Sequence, residues 1–172
     1  MAIAKLNQYL TFRLEENECA IAVENVQEVL EYRTITPIPR TAEFMRGIIN
    51  LRGSGIPVID LHNKFRLHPI TVTKETAIIV METTFTAGNR PIVFGALADN
   101  VQEVVEFEDA ILENTPRFGN RIPADYLKGM GKRDDEFIAV LDIDRIFSAE
   151  EARTLEAAAR QAAAEENGSM RQ

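Results

Sequence analysis

The pentapeptide Asn25-Val26-Gln27-Glu28-Val29 recurs letter for letter as Asn100-Val101-Gln102-Glu103-Val104, 75 positions further on. A chain with such a repeat is a doubled small fold. The correspondence continues: Ala42-Glu43-Phe44-Met45-Arg46-Gly47 answers Ala124-Asp125-Tyr126-Leu127-Lys128-Gly129, and Ile56, Val58, Asp60 and Phe65 answer Ile138, Val140, Asp142 and Phe147, all at an offset of 82. The change from 75 to 82 puts seven extra residues between the two blocks of the second copy. Positions alike in both copies serve the shared fold, whereas positions where the copies part are open to specialisation.

Short segments rich in Val, Ile and Phe, separated by turn residues, run as far as Phe147, the pattern of small all-β units. It predicts strands over 8–14, 19–23, 47–51, 56–61, 77–82, 92–98, 127–131 and 136–141, with further extended segments at 31–36 and 105–107. Residues 15–18, 52–55, 87–90 and 132–135 carry the Gly, Asn and Asp that suit hairpin turns. Some five short strands per copy are too few for an open two-sided sheet, so closure into a barrel is the economical way to remove exposed edges. The expected fold is therefore all-β: two pseudo-symmetric five-stranded barrels side by side, residues 7–70 forming the first, 76–147 the second, and 148–172 a C-terminal helix and tail. Helical spacing of Val26, Val29 and Leu30, and of Val101, Val104 and Val105, predicts a short helical turn within 23–30 and 98–105. Ser148 and Glu151 have capping-box spacing, so a helix should begin there and run through the Ala-rich stretch to about Glu165. Leu155 is its only large apolar side chain, which predicts weak packing; Asn167-Gly168 marks the stop, with 168–172 frayed.

At 172 residues the chain is long enough to bury roughly 70% of its unfolded surface. Its formal net charge of -8 argues against a nucleic-acid partner, whose affinity comes from clustered Lys and Arg. One cysteine, Cys19, excludes an internal disulfide and a cysteine zinc cage, and with no cleavable N-terminal apolar stretch and no long apolar run the chain reads as cytoplasmic, without direct membrane insertion. No catalytic constellation assembles. His62 and His68 lie in a polar connection after Leu61 without metal-ligand spacing and read as surface residues. Cys19, beside Ala20 and Ile21, reads as a core residue. Asp142 repeats Asp60 at the same place in the other copy, which favours strand-end hydrogen bonding over a metal pair with Asp144. The glycine clusters lack the Lys-Ser/Thr ending and the strand-to-helix setting of a phosphate loop. The expectation is a non-enzyme with no cofactor and no metal.

At offset 82, Asn50-Leu51-Arg52-Gly53-Ser54-Gly55 faces Lys132-Arg133-Asp134-Asp135-Glu136-Phe137 without one identity, although the flanks agree. Here the copies specialise. Arg52 sits on a turn within an apolar stretch, and two readings are open: an interface anchor, using its planar fork and apolar stem, or a solvated turn arginine.

The run Thr36-Pro37-Ile38-Pro39, then Phe44-Met45-Arg46-Gly47-Ile48-Ile49-Asn50-Leu51-Arg52-Gly53, then Ile56-Pro57-Val58-Ile59-Asp60-Leu61 resembles the signature of the CheW family of bacterial chemotaxis coupling proteins. The likeness extends over nearly the whole chain, through Tyr9-Leu10-Thr11-Phe12, Val26-Gln27-Glu28-Val29, the strand from Gly95 into Asp99, Tyr126-Leu127-Lys128-Gly129 and the helix after Ser148. It implies a pair of SH3-like barrels and a non-catalytic adaptor joining the cytoplasmic helical hairpin tips of chemoreceptors to the histidine kinase CheA. The kinase's regulatory domain shares this fold, so the resemblance also implies ring-like association of alternating barrels. It carries receptor contact, a helix lying in an apolar groove, to Val26, Glu28, Arg52, Gly53, Gly95 and Val104. For Glu28 a structural role stands beside that one, because Glu103 repeats it. Kinase contact falls on Ile38, Phe44 and Met45, although Tyr126 and Leu127 repeat the last two and point equally to core packing. Two rivals remain: the same adaptor role in another kinase pathway, such as type IV pilus motility, and a regulatory domain holding a small molecule between its barrels.

Overall fold

The computed structural model describes residues 6–83, 91–108, 121–133 and 136–170. Strands β1 (Leu6–Leu14), β2 (Asn17–Ala22), β3 (Val26–Glu31), β4 (Met45–Leu51), β5 (Ser54–Ile59), β6 (Ala77–Glu82), β7 (Val93–Ala98), β8 (Asn100–Glu108), β9 (Leu127–Arg133) and β10 (Glu136–Leu141) form two five-stranded sheets. The expected turns at 15–18 and 52–55 are the tight connections of β1–β2 and β4–β5. The expected turn at 87–90 lies outside the described residues.

The sheets are ordered β8-β1-β2-β10-β9 and β3-β6-β7-β5-β4, and they match strand for strand. At the centre of each, Val140 pairs in parallel with Ala20 and Val58 with Gly95, the same junction at offsets of 82 and 75. This corrects the expected division into 7–70 and 76–147. One sheet is built from the continuous stretch 26–98, the other from 6–22 together with 100–141. The copies exchange hairpins: β1–β2 completes the sheet of the second copy, and β6–β7 that of the first. Apolar alternation marks where a strand is but not which strand it pairs with.

The repeated pentapeptide lies where the chain changes sheets. A 3-10 turn, Val23–Asn25, carries β2 into β3, and Asp99 alone separates β7 from β8. The helical turn expected within 23–30 is this Val23–Asn25 turn, although 26–31 beyond it is a strand; the one expected within 98–105 is corrected, since 100–108 is a strand throughout. Their helical spacing comes from bulges. Val26 and Glu28 face the adjacent residues Met81 and Val80, while Val101 and Val104 face Phe12 and Leu10, so each strand carries one residue more than its partner. Thr11 serves the second bulge, its Oγ1 donating to Glu103 O at 2.9 Å and lying 3.1 Å from the Glu103 amide.

No ladder among the described residues joins the outer strands β3 and β4, or β8 and β9. The first gap is narrowed by Thr36, which exchanges two hydrogen bonds with Ile48 at 2.9 and 2.8 Å. That approach requires Gly47, whose φ is +145° and whose added Cβ would stand 2.1 Å from Thr36 O.

The main core runs between the sheets and includes Phe12, Phe94, Ile122 and, as read from sequence, Cys19. Burial, with Glu18 adding to it, pushes the Cys19 thiol far up. Asp60 and Asp142 both work at strand ends: Asp60 accepts from the Asn63 amide at 3.2 Å to start α1 (Leu61–Lys64), and Asp142 accepts from Asp144 N at 3.1 Å. The helix α2 (Ala149–Met170) begins with the expected box, Ser148 N donating to Glu151 at 2.9 Å and Glu151 N to Ser148 Oγ at 3.1 Å. Two expectations for it fail. Ala152, Leu155 and Ala158 are buried in the main core against β5, so small side chains give it a close-packed face, and the helix continues through Asn167-Gly168 to Met170. No helix among the described residues is long and apolar enough to cross a membrane.

Candidate functional site

The β4–β5 connection is a two-residue turn with positive φ at both positions, 52° at Arg52 and 83° at Gly53, the twist that suits a tight hairpin. An added Cβ at Gly53 meets nothing within 4 Å, so the demand for glycine there is one of dihedral angle alone. Asn50 holds the turn by accepting from Gly53 N at 3.0 Å, and its own carbonyl accepts from Arg33 at 3.0 Å. Asn-Leu-Arg-Gly therefore divides its labour: Asn50 and Gly53 shape the turn, and Arg52 is projected outward.

The Arg52 guanidinium pairs with both carboxylate oxygens of Glu28. Glu28 is on β3 and Arg52 follows β4, so the pair spans the open seam between the outer strands of one sheet. In the other sheet Arg133 on β9 pairs with Glu103 on β8, across the equivalent seam. Comparison at offset 82 set Arg52 against Asp134 and hid this repetition, because Arg133 reaches from one position earlier. The structural role weighed for Glu28 is thus present, and Arg52 shares it. Solvent still reaches the pair, at 70% exposure for the Arg52 side chain and 26% for Glu28, so the clasp supplies about 1 kcal/mol at most. With most of its side chain in solvent, Arg52 stays accessible to a partner.

The other anticipated contacts divide. Val26 is half-buried against the main core, and Val104 on β8 is among the most exposed large apolar residues, as is its counterpart Val29. Gly95 is buried in the centre of β7, where an added Cβ would come 2.7 Å from Ile78 Cγ2; its hydrogen is a packing requirement, not a contact surface. Phe44 and Met45 are likewise core residues, and Ile38 packs partly buried against the same cluster. Of the two readings open for Phe44 and Met45, core packing is the one their burial matches. Phe44 and Phe147 stand with ring centroids 6.0 Å apart, and Lys64 Nζ lies 4.9 Å over the Phe44 ring.

Lys64 is nearly buried and ion-pairs with Glu151 on α2. Partial burial works to raise the Glu151 carboxyl, but the hydrogen bond from Lys64, the Ser148 amide and the Lys64 charge outweigh it and hold the group below its ordinary value. Sequence reasoning missed this tie and also that of His62. Expected at the surface, His62 is 2% exposed, with Nδ1 2.8 Å from His68 O and Nε2 2.8 Å from Asp99 Oδ2. Asp99 also accepts from Glu15 N at 2.6 Å, so this cluster fastens the β1–β2 turn to the crossover before β8. A polar cleft of about 470 Å³ opens beside it, and no group of residues suited to a metal ion occurs among the described residues.

A family model described as CheW-like domain matches residues 8–151. The chain is similar to Chemotaxis protein CheW of Klebsiella aerogenes, 31% identical over 144 residues that cover 84% of this chain and 83% of the relative. It is similar to Chemotaxis protein CheW of Thermotoga maritima, 33% identical over 81% of this chain and 87% of the relative. A shorter likeness, 39% over 54 residues, covers 31% of this chain and 34% of Protein FrzA of Myxococcus xanthus. The crystal structure of scaffolding protein TtCheW from Thermoanaerobacter tengcongensis superposes with a TM-score of 0.73 at 31% identity, covering 86% of this chain and 91% of that one.

Proposed function

Because this chain belongs to the CheW-like domain family, we propose that it is a non-catalytic adaptor of bacterial chemotaxis, coupling the cytoplasmic tips of methyl-accepting chemoreceptors to a CheA-type histidine kinase. The observation that carries this reading is the family match over 8–151, joined to a likeness in fold and sequence to a protein described as a scaffold. The chain works in the cytoplasm and reaches membrane-associated arrays through its partners. Two strand-matched sheets give it two related faces, an arrangement suited to head-to-tail rings with a kinase domain of the same fold.

Receptor contact centres on Arg52 and Gly53, with Glu28 orienting the guanidinium and Val26 and Val104 as apolar neighbours of the bound helix. Gly95 acts on this surface only through the packing of β7. Ile38 remains the kinase-facing candidate, with Phe44 and Met45 supporting it from the core. The similarity to Protein FrzA, a relative whose name does not mention chemotaxis, supports a second reading as the coupling protein of another kinase pathway, such as type IV pilus motility. Pairwise titrations against a receptor cytoplasmic fragment and a CheA regulatory domain test the adaptor claim. Saturable binding to each is expected, and binding to neither refutes it.

A further inference from the structure

Helix α2 begins at Ala149, and all but its first residues lie beyond the stretch that the family model matches. Its inner face is in the core, which fixes its path across β5. That path brings Glu156, Ala159 and Arg160 alongside the Arg52 hairpin and leaves a groove of about 520 Å³ between them. We propose that α2 is the second wall of a docking groove whose first wall is the Arg52 hairpin, and that this groove takes one turn of a partner helix presenting an apolar side chain flanked by a carboxylate. The proposal rests on the adaptor reading and adds to it which segment of the chain selects among receptor helices.

The chemistry of the groove sets that occupant. Its floor is apolar, with Leu51, Ile56 and Val93, and Ala159, between Glu156 and Arg160 on α2, adds only a methyl group to its wall. Its rim carries Arg52 and Arg160, whose side chains are 70% and 77% exposed. Two exposed arginines stand over this floor, each balanced by its own carboxylate, so the rim is locally neutral in a chain whose net charge is -8. Each holds one carboxylate of its own, Glu28 or Glu156, and a guanidinium has five N–H donors, so each retains donors for a carboxylate from a partner. An apolar floor and a rim of spare guanidinium donors together match an amphipathic helix with an acidic flank.

The test uses the full chain and a purified chemoreceptor cytoplasmic fragment as the probe. Arg160→Glu reverses the rim charge on an exposed helical position, Ala159→Phe fills the groove, and Arg153→Glu makes the same charge change on an exposed part of α2 that does not line it. Arg160→Glu and Ala159→Phe are expected to weaken binding about tenfold or more, with Arg153→Glu at parental affinity and all three melting cooperatively. Parental affinity in Arg160→Glu, with Arg52→Asp weakened, overturns the role of α2 while leaving the adaptor reading in place. Equal weakening by Arg153→Glu overturns it too, because the effect is then one of overall charge. Dimerisation of the parent that Arg160→Glu abolishes would identify a second copy as the occupant and also overturn it. A parent that does not bind the fragment refutes the adaptor reading itself.

Discussion

Replacing Arg52 by Asp separates the two duties of that side chain. Asp tolerates the left-handed backbone at φ 52°, and the Asn50 bond to Gly53 does not involve the side chain of residue 52, so the hairpin persists. The folded state loses one ion pair whose arginine is 70% exposed, worth roughly 0.2–1 kcal/mol. For a chain of this length that is a fall in melting temperature of at most about 2–4 °C. Removing an arginine that anchors an interface as a hot spot costs about 2 kcal/mol or more, close to thirtyfold in affinity. Thermal unfolding and titration against a receptor fragment therefore read the two duties separately: a small shift in the first, a large loss in the second. The reversed pair, Glu28→Lys with Arg52→Asp, sharpens the test, since it rebuilds the clasp across the seam but presents a carboxylate outward. It should regain the lost stability and remain deficient in binding. Full recovery of binding would show that Arg52 acts only as a clasp, and the contact reasoning would be wrong.

Gly47→Ala places a methyl carbon 2.1 Å from Thr36 O and should cost about 3 kcal/mol or more, measured by urea unfolding; a loss under 1 kcal/mol would mean that the seam is not closed there. The Glu151 carboxyl is held low in the folded state, so its contribution is present above the unfolded carboxylate range and is lost as pH falls through the depressed value. Stability should consequently drop below about pH 4, and Glu151→Gln should flatten that part of the curve; an unchanged acid limb would refute the Lys64–Glu151 tie. Cys19, fully buried with its thiol pushed up, should be alkylated only through global unfolding, so its modification rate should follow denaturant as stability does. Fast labelling in native buffer would contradict the core assignment.

Much of this architecture is legible in the residues. The duplication, the strand positions, the β4–β5 turn and the capping box at Ser148 are local features, and local sequence encodes them. The hairpin exchange is not local. Nothing in β1 or β2 records that β8 and β10 will flank them, because alternation at period two is satisfied by any apolar neighbour. The bulge in β8 misled for a related reason: an extra residue turns a two-residue period into the three-residue spacing of Val101 and Val104, which imitates a helix. His62 looked like a surface residue because its partner Asp99 is 37 positions away. For Phe44 and Met45 the repeat itself gave the warning, since Tyr126 and Leu127 at the matching places pointed to the core packing that is found. Subtraction of the copies singled out Arg52 but hid its symmetry, since Arg133 performs the same clasp one position out of register.

Kinase control in the assembled complex tests the adaptor account most directly. A receptor cytoplasmic fragment and a CheA-type kinase would be mixed with and without this chain, and both co-sedimentation and kinase autophosphorylation followed. The account predicts that receptor and kinase sediment together, with autophosphorylation responding to the receptor, only when the chain is present, and that Arg52→Asp diminishes both. Assembly and kinase response unchanged by adding the chain would contradict it.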